Sequence, residues 1–149
     1  MLEIRFRRLN DLAQVPRYAR QGDAACDLVA GADAQIPPLG RAGIATGIAV
    51  EIPVGFAGFV LPRSGLALRH GITLANAPGL IDSGYRGEII VALHNSDPSE
   101  PFFVTVGDRI AQLVILAVPH VVYVEATSLG ETERGEGGFG STGVGASHS

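Results

Sequence analysis

The chain has 149 residues, of which 46% are hydrophobic and 17% charged, and this length and composition predict one folded domain and exclude a disordered chain. All 11 basic residues are arginine, which excludes a lysine-dependent phosphate loop and Schiff-base chemistry. The formal net charge of −4 argues against broad nucleic-acid binding, and the single cysteine, Cys26, excludes an internal disulfide and a multi-cysteine zinc site.

The N-terminal residues predict a β-strand. Leu2, Ile4 and Phe6 alternate with charged residues, and no apolar run there resembles the core of an export signal. Apolar runs elsewhere are far shorter than the roughly 18 residues expected of a membrane span. Together with the lone cysteine, this predicts a soluble, cytoplasmic protein that does not contact a membrane.

Strand patterns continue through the middle of the chain. Residues 44–52, 89–93, 102–106 and 121–124 carry alternating or β-branched apolar side chains, and glycine, proline, asparagine and aspartate separate these runs at short intervals. This spacing predicts an all-β sandwich or barrel. The one predicted helix covers residues 64–71, with a serine at its N-cap and a glycine as its stop signal.

The C-terminal third changes character twice. Residues 109–118 are apolar at both odd and even positions, so both faces of that strand need cover, from a second sheet and from either a neighbouring subunit or the interior. From residue 131 the chain is rich in glycine, which predicts a domain over residues 1–130 and a flexible tail over 131–149. The tail also carries an arginine, an aromatic ring and two hydroxyls, which are the groups needed to close over a nucleotide.

The start of the predicted helix has the outline of an anion site. Arg63 and Ser64 offer a guanidinium and a hydroxyl beside free backbone N–H groups, and such groups suit a phosphate. The alternative is structural, with Ser64 as a helix cap and Arg63 as a surface charge.

Residues 76–90 predict a hairpin that turns near Gly84 and Gly87. The backbone of such a hairpin can read the edge of a flat heterocycle. Within it, Asp82 can act as a general base on a water, and Tyr85 can stack on a sugar. The alternative interpretation is a turn-capping aspartate and a packing tyrosine.

Two further segments carry polar groups beside small or apolar residues. Asp23 and Asp27 lie four residues apart, and carboxylates suit Mg²⁺, often through retained waters; turn aspartates are the alternative. The pair Asp108–Arg109 precedes Gln112, which sits within an apolar strand where a buried amide needs partners.

Five segments in this order resemble the five motifs of the dUTPase (deoxyuridine triphosphate nucleotidohydrolase) family: DAACDL, PRSGLA, NAPGLIDSGYRGEI, GDRIAQL and RGEGGFGSTG. The resemblance spans nearly the whole chain, up to residue 143. It implies an all-β, single-domain β-jelly roll that forms homotrimers, with active sites at the subunit interfaces and a C-terminal arm that closes over the site. It also implies Mg²⁺-assisted hydrolysis of dUTP to dUMP and pyrophosphate, which limits uracil incorporation into DNA and supplies dUMP for dTMP synthesis.

The resemblance also implies a role for each matching residue. Asp82 would activate the water that attacks the α-phosphate, and Asp27 would hold Mg²⁺ through water. Tyr85 would pack on the deoxyribose and exclude a 2′-hydroxyl. The residues implied to read uracil are Asn76, Leu80, Ile81 and Ile90. Those implied to hold the phosphates are Arg63, Ser64, Gly65, Gln112 and Arg134, the last assisted by Ser141 and Thr142. Phe139 would cover the uracil ring, with Gly140 beside it, whereas Asp108 and Arg109 would support the site as an ion pair.

Two other functions fit fewer of these segments. A dCTP deaminase on the same fold resembles the segment PRSGLA but generally lacks the aspartate–tyrosine hairpin and the glycine-rich tail. A module that binds a nucleotide or a protein without turnover is not favoured, because Asp82 and Arg134 are both present. A purely structural jelly roll has no use for all five segments. The sequence therefore predicts a dUTP diphosphatase, in which Cys26 is a small buried residue rather than a nucleophile.

Overall fold

The computed structural model describes residues 2–137. In that range, loops connect one short helix and eleven strands, in agreement with the period-two pattern of the sequence. In chain order these are β1 (Arg5–Arg8), β2 (Cys26–Val29), β3 (Ala34–Ile36), β4 (Arg41–Ala45), β5 (Ile48–Glu51), β6 (Phe56–Leu61), α1 (Ser64–His70), β7 (Ile72–Leu74), β8 (Gly79–Ile81), β9 (Ile90–Asn95), β10 (Phe102–Val104) and β11 (Arg109–Ala117).

The strands form antiparallel sheets that enclose one apolar core. The larger sheets have the orders β2-β11-β6-β8 and β4-β9-β7, and the pairs β1-β5 and β10-β3 complete the set. Leu28, Ile44, Leu93 and Ile110 are almost completely buried in the core. The predicted all-β class is confirmed, because alternate residues of these strands supply a common interior.

Helix α1 begins at Ser64 itself, so its N-cap lies one residue earlier than predicted. Arg63 is the N-cap, with extended backbone angles (φ −94°, ψ 124°) and no side-chain cap hydrogen bond, so the prediction that Ser64 caps the helix is wrong. The Arg63 side chain bonds to residues of β2 and β11. The Arg63 backbone is still extended at the point where α1 begins. The stop at Gly71 is confirmed, because its left-handed conformation (φ 64°) lets its N–H bond to the Ala67 carbonyl.

The predicted hairpin over residues 76–90 is wrong. Strand β8 pairs with β6, in the register Gly58 to Ile81, whereas β9 pairs with β4 and β7. Each strand therefore completes a ladder in a different sheet, and residues 82–89 cross from one sheet to the other. The crossing carries Asp82 and Tyr85.

The chain leaves the sheets after β11. The Val118 N–H bonds to the Gly55 carbonyl at 2.9 Å, and beyond it Val121, Val122, Tyr123 and Val124 lie outside any strand and are 55–93% exposed. The strand predicted over residues 121–124 is wrong for the described part of a single chain, because no strand among residues 2–137 pairs with it. On β11 itself Leu113 is buried but Leu116 is 48% exposed, so the far end of that strand lacks the two-sided cover predicted for it. No helix in residues 2–137 has the length and apolar character needed to cross a membrane.

Candidate active site

A cavity of about 190 Å³ opens beside β8 and brings together six of the predicted site residues. Leu80, Ile81 and Ile90 supply apolar walls, and Gly79 and Val60 complete the lining on the side of β6. Asn76, Asp82 and Tyr85 add an amide, a carboxylate and a phenol to the same lining. The cavity thus joins a flat apolar surface to a few polar groups, as small-molecule sites generally do.

Two glycines shape this cavity. Gly79 is buried, and a Cβ there would lie 3.2 Å from Asn76 Nδ2 and 3.3 Å from Val60 Cβ. A Cβ on Gly87 would overlap the ring and hydroxyl of Tyr85. A side chain at either position would push Asn76 or Tyr85 away from its place in the lining.

Glu88 also lines the cavity and was missed by sequence reasoning. Its Oε1 accepts a hydrogen bond from the Gly47 N–H at 2.7 Å, and its carbonyl accepts one from the Tyr85 hydroxyl at 2.8 Å. Glu88 lies inside a motif segment, but its main partner is 41 residues away. Nothing local in the sequence signals such a partner.

A second group of predicted residues gathers around Asp27 on β2. Arg63 Nε lies 3.1 Å from Asp27 Oδ1, and Arg109 Nη1 lies 3.4 Å from Asp27 Oδ2. Arg63 Nη1 also donates to the Arg109 carbonyl at 3.0 Å. The Asp27 side chain is 15% exposed, so these three charged groups form a partly buried cluster with one excess positive charge, which suits an anion.

The predicted ion pair between Asp108 and Arg109 is wrong. Asp108 Oδ2 accepts the Thr105 N–H at 2.9 Å and closes the turn before β11. Arg109 instead reaches Asp27, its opposite charge on the neighbouring strand β2. A register irregularity between Arg109 and Ala111 accompanies this pairing.

The remaining predicted phosphate ligands lie near this cluster. Ser64 and Gly65 follow Arg63 directly at the start of α1, with Ser64 exposed. Gln112 is half-buried on β11, where its Cα pairs with those of Asp27 and Leu61 on the two flanking strands. The structure therefore groups Arg63, Ser64, Gly65, Gln112 and Asp27 at one end of the four-stranded sheet.

The two other polar residues of the first motif have structural roles. Asp23 accepts the Arg20 N–H at 2.8 Å and closes a turn, which is the alternative interpretation of this aspartate. Cys26 is half-buried, and burial raises the pKa of its thiol. A thiol with a raised pKa is a poor nucleophile at neutral pH, as predicted from the sequence.

Asp82 and Arg63 belong to opposite ends of β6. Continuing the register of Gly58 with Ile81 brings Asp82 level with Ala57, and both residues line one hollow. Arg63 follows six residues further along the extended chain, which at 3.2–3.4 Å per residue is about 20 Å away. Within one chain, therefore, Asp82 lies far from the cluster around Arg63, although the cavity wall extends along β6 to Val60.

The predicted tail residues fall partly outside the described range. Arg134 is exposed, and its Nε donates to the Gly137 carbonyl at 2.9 Å. Phe139, Gly140, Ser141 and Thr142 lie outside the described residues.

Comparison with known proteins gives one consistent result. The dUTPase family model matches residues 11–143. The deoxyuridine 5′-triphosphate nucleotidohydrolase of Thermobifida fusca is 53% identical over 142 residues, which cover 95% of this chain and 79% of that protein. The Cutibacterium acnes protein of the same name is 53% identical over 132 residues, 89% of this chain and 87% of that one. Among solved structures, the Staphylococcus bacteriophage 80alpha dUTPase with dUPNHPP has a TM-score of 0.89 and 26% identity, and covers 97% of this chain and 100% of that chain.

Fold and relatives together define a hydrolase of nucleotide metabolism built on a β-jelly roll, which confirms the predicted fold class. The chain belongs to the dUTPase family. It is a dUTP diphosphatase, as the five segments of the sequence imply.

Proposed function

We propose that the cavity beside β8 holds the deoxyuridine of dUTP and that Asp82 activates the attacking water there. The single observation that carries this proposal is the convergence of Asn76, Leu80, Asp82, Tyr85 and Ile90 on one cavity. The apolar walls suit the faces of a pyrimidine, whereas the Asn76 amide and the backbone of β8 offer donors and acceptors to its edge. The free edge of the short strand β8 is a natural place for such backbone contacts.

The Tyr85 ring selects deoxyribose over a sugar with a 2′-hydroxyl. It is 44% exposed at the cavity wall, and its hydroxyl is already bonded to the Glu88 carbonyl. The ring is therefore held as a flat apolar surface against which deoxyribose packs, and a 2′-hydroxyl there would lose water without gaining a partner.

Asp82 is exposed at the end of β8, next to this wall. An exposed carboxylate accepts a proton from water, so that the water oxygen bonds to the α-phosphorus as the bond from that phosphorus to the bridging oxygen breaks. The products are dUMP and pyrophosphate. Removal of dUTP limits uracil incorporation into DNA, and dUMP is the precursor for dTMP synthesis.

The cluster of Asp27, Arg63 and Arg109 fits the triphosphate, with Ser64, Gly65 and Gln112 as further donors. Among residues 2–137, no three histidine, cysteine, aspartate or glutamate side chains converge as a metal site. The excess positive charge of the two arginines suits the triphosphate, and Asp27 offers one carboxylate to Mg²⁺ that arrives on the nucleotide, because Mg²⁺ keeps several waters and takes few protein carboxylates. Asp27 would hold the ion through water, and the bound ion would neutralise charge on the phosphates.

The separation of the two groups supports a site shared between subunits of a homotrimer. Asp82 and Arg63, about 20 Å apart along one strand, would serve one nucleotide if the cavity of one chain faces the arginine cluster of another. The exposed, apolar Val121–Val124 segment and the exposed end of β11 are surfaces that another chain would bury. The geometry of β6 and this exposed apolar surface support the proposed sharing.

We further propose that residues 131–149 form the closing arm of a single catalytic domain over residues 1–130. Arg134 would reach the γ-phosphate, and Phe139 to Thr142 would cover the uracil and phosphates, which excludes water from the site. A single half-buried free cysteine is compatible with the reducing cytoplasm that we infer as its compartment.

Pyrophosphate release tests this mechanism. With Mg²⁺, we expect release from dUTP and little from dTTP, dCTP or UTP, and we expect a chain ending at Thr132 to lose most of it. The Asp82→Asn variant should bind a non-hydrolysable dUTP analogue with nearly unchanged affinity while turnover falls by about 10³-fold or more. Normal turnover in that variant would remove Asp82 from the mechanism, and conversion of dCTP would indicate a deaminase instead.

A further inference from the structure

The segment that carries Asp82 and Tyr85 is held by backbone hydrogen bonds at its end, where Ile89 bonds to Ile48 and Thr46, but it makes few such bonds before that point. Residues 82–89 leave one sheet and enter another without belonging to a strand. Inside the segment, the Tyr85 N–H bonds to the Asp82 carbonyl at 3.0 Å. Both side chains are exposed, so packing in the core does not fix them, and side-chain contacts must hold their positions.

Arg86 supplies such contacts. Its Nη1 donates to the Ser83 carbonyl at 2.6 Å and to the Tyr85 carbonyl at 2.8 Å. The guanidinium thus joins both sides of the turn that begins at Asp82. Two hydrogen bonds from one planar, charged group fix the relative orientation of the two peptide units.

Arg86 is in turn anchored to the sheet. Its Nη2 lies 3.4 Å from Glu51 Oε1 at the end of β5, and the same oxygen accepts a bond from Arg5 Nη2 on β1 at 2.8 Å. The turn is therefore tied through one side chain to two paired strands. Arg86 does not line the cavity of Asp82, so its effect on substrate must pass through the turn.

We propose that Arg86, anchored by Glu51, is a positioning residue that holds Asp82 and Tyr85 in their working orientations. The inference rests on the proposed function of the cavity. It makes turnover and sugar selectivity depend on a side chain that does not touch the nucleotide. Exposed ion pairs contribute little to global stability, so the loss of Arg86 should affect the reaction far more than the fold.

The experiment compares Arg86→Ala, Arg86→Lys and Glu51→Gln with Arg41→Ala as the matched control. Arg41 is an exposed arginine on β4, outside this network and outside both groups of site residues. For each variant, kcat and KM are measured for dUTP and UTP, and melting temperatures are recorded. Wild-type activity on dUTP is the internal check on the proposed function, because its absence would overturn that function rather than the role of Arg86.

We expect Arg86→Ala to lower kcat for dUTP about ten- to a hundredfold, the scale of a misplaced catalytic group, with a smaller change in KM and a nearly unchanged melting temperature. The ratio of kcat/KM for dUTP to that for UTP should also fall, because Tyr85 keeps the bond from its hydroxyl to the Glu88 carbonyl but loses the bond that fixes its own carbonyl. Arg86→Lys should recover part of the loss, since an ammonium keeps the charge but lacks the second nitrogen that reaches Glu51 while the first holds the two carbonyls. Glu51→Gln should show the same pattern in weaker form.

Two results would overturn the inference. In the first, the Arg86→Ala and Glu51→Gln variants match Arg41→Ala in kcat and in selectivity. The other is an equal loss for dUTP and UTP that scales with a lowered melting temperature, which would mean a purely structural role. If Arg86→Ala does not fold, the same two comparisons apply to Arg86→Lys and Glu51→Gln.

Discussion

Two inactive variants mixed in one trimer should restore activity if the site is shared between chains. Asp82→Asn removes the carboxylate proposed to activate water but leaves the arginine cluster intact. Arg63→Ala removes the guanidinium proposed to bind phosphate but leaves the cavity of Asp82 intact. Because these two residues lie about 20 Å apart along β6, a site in the proposed trimer takes Asp82 from one chain and Arg63 from its neighbour.

The expected recovery follows from counting sites in a cyclic trimer. In every mixed trimer, of either composition, one of the three interfaces pairs an intact Asp82 with an intact Arg63. Mixed trimers should therefore show about a third of wild-type turnover. An unfractionated equal mixture, in which about a quarter of the trimers contain one variant only, should show about a quarter.

The assay is co-expression of the two variants with different tags, purification on both tags in series, and pyrophosphate release from dUTP. Co-expression of Asp82→Asn with Asp82→Ala is the matched control, since no interface then carries an intact Asp82. Each variant alone is checked for a normal melting temperature, because Arg63→Ala leaves Asp27 with Arg109 as its remaining partner. No recovery in properly folded mixed trimers would refute the shared site.

Three further outcomes follow from packing and charge. Leu93→Ala should lower the free energy of unfolding by about 2–5 kcal/mol in urea melts, because Leu93 is 1% exposed in the core; a loss below about 1 kcal/mol would contradict that placement. Burial raises the pKa of the Cys26 thiol, so iodoacetamide at pH 8 should alkylate the folded protein more slowly than the denatured one, and equal rates would contradict it. The backbone N–H groups of Glu100 and Ser99 hold the pKa of Asp97 below its usual range. The stability that these hydrogen bonds contribute should be fully present above about pH 4. It should be lost as the pH falls through the lowered pKa of Asp97. The stability difference between wild type and Asp97→Asn should shrink over that range, and a constant difference would argue against it.

Much of the fold and of the cavity could be predicted from the sequence because the signals are local. The alternation through Ile48, Val50 and Ile52 and through Val91 and Leu93 marks strands whose inward residues the structure buries. The residues of the cavity lie within one segment of the chain, apart from Val60 and Ala92. A short segment can therefore specify most of a binding surface without knowledge of distant contacts.

The wrong predictions concern partners that are distant in sequence. Strand β8 pairs with β6 and not with β9, the next strand in the sequence. The pairing depends on which strands lie alongside in the folded sheets. Arg109 pairs with Asp27, 82 residues away, instead of with the adjacent Asp108. Val121–Val124 has strong β propensity, yet a strand also needs a partner, and a single chain does not provide one.

The position of β6 has a genetic consequence. In the proposed trimer this strand joins two different active sites, because its start lies level with Asp82 of one site and its far end leads to the arginine cluster of the next. A chain defective at both ends would therefore disable two of the three sites in any trimer it enters. One such chain in three would remove about two-thirds of the activity of that trimer. A defective allele expressed beside a normal one would therefore act as partially dominant, because a single defective chain is enough to disable two sites.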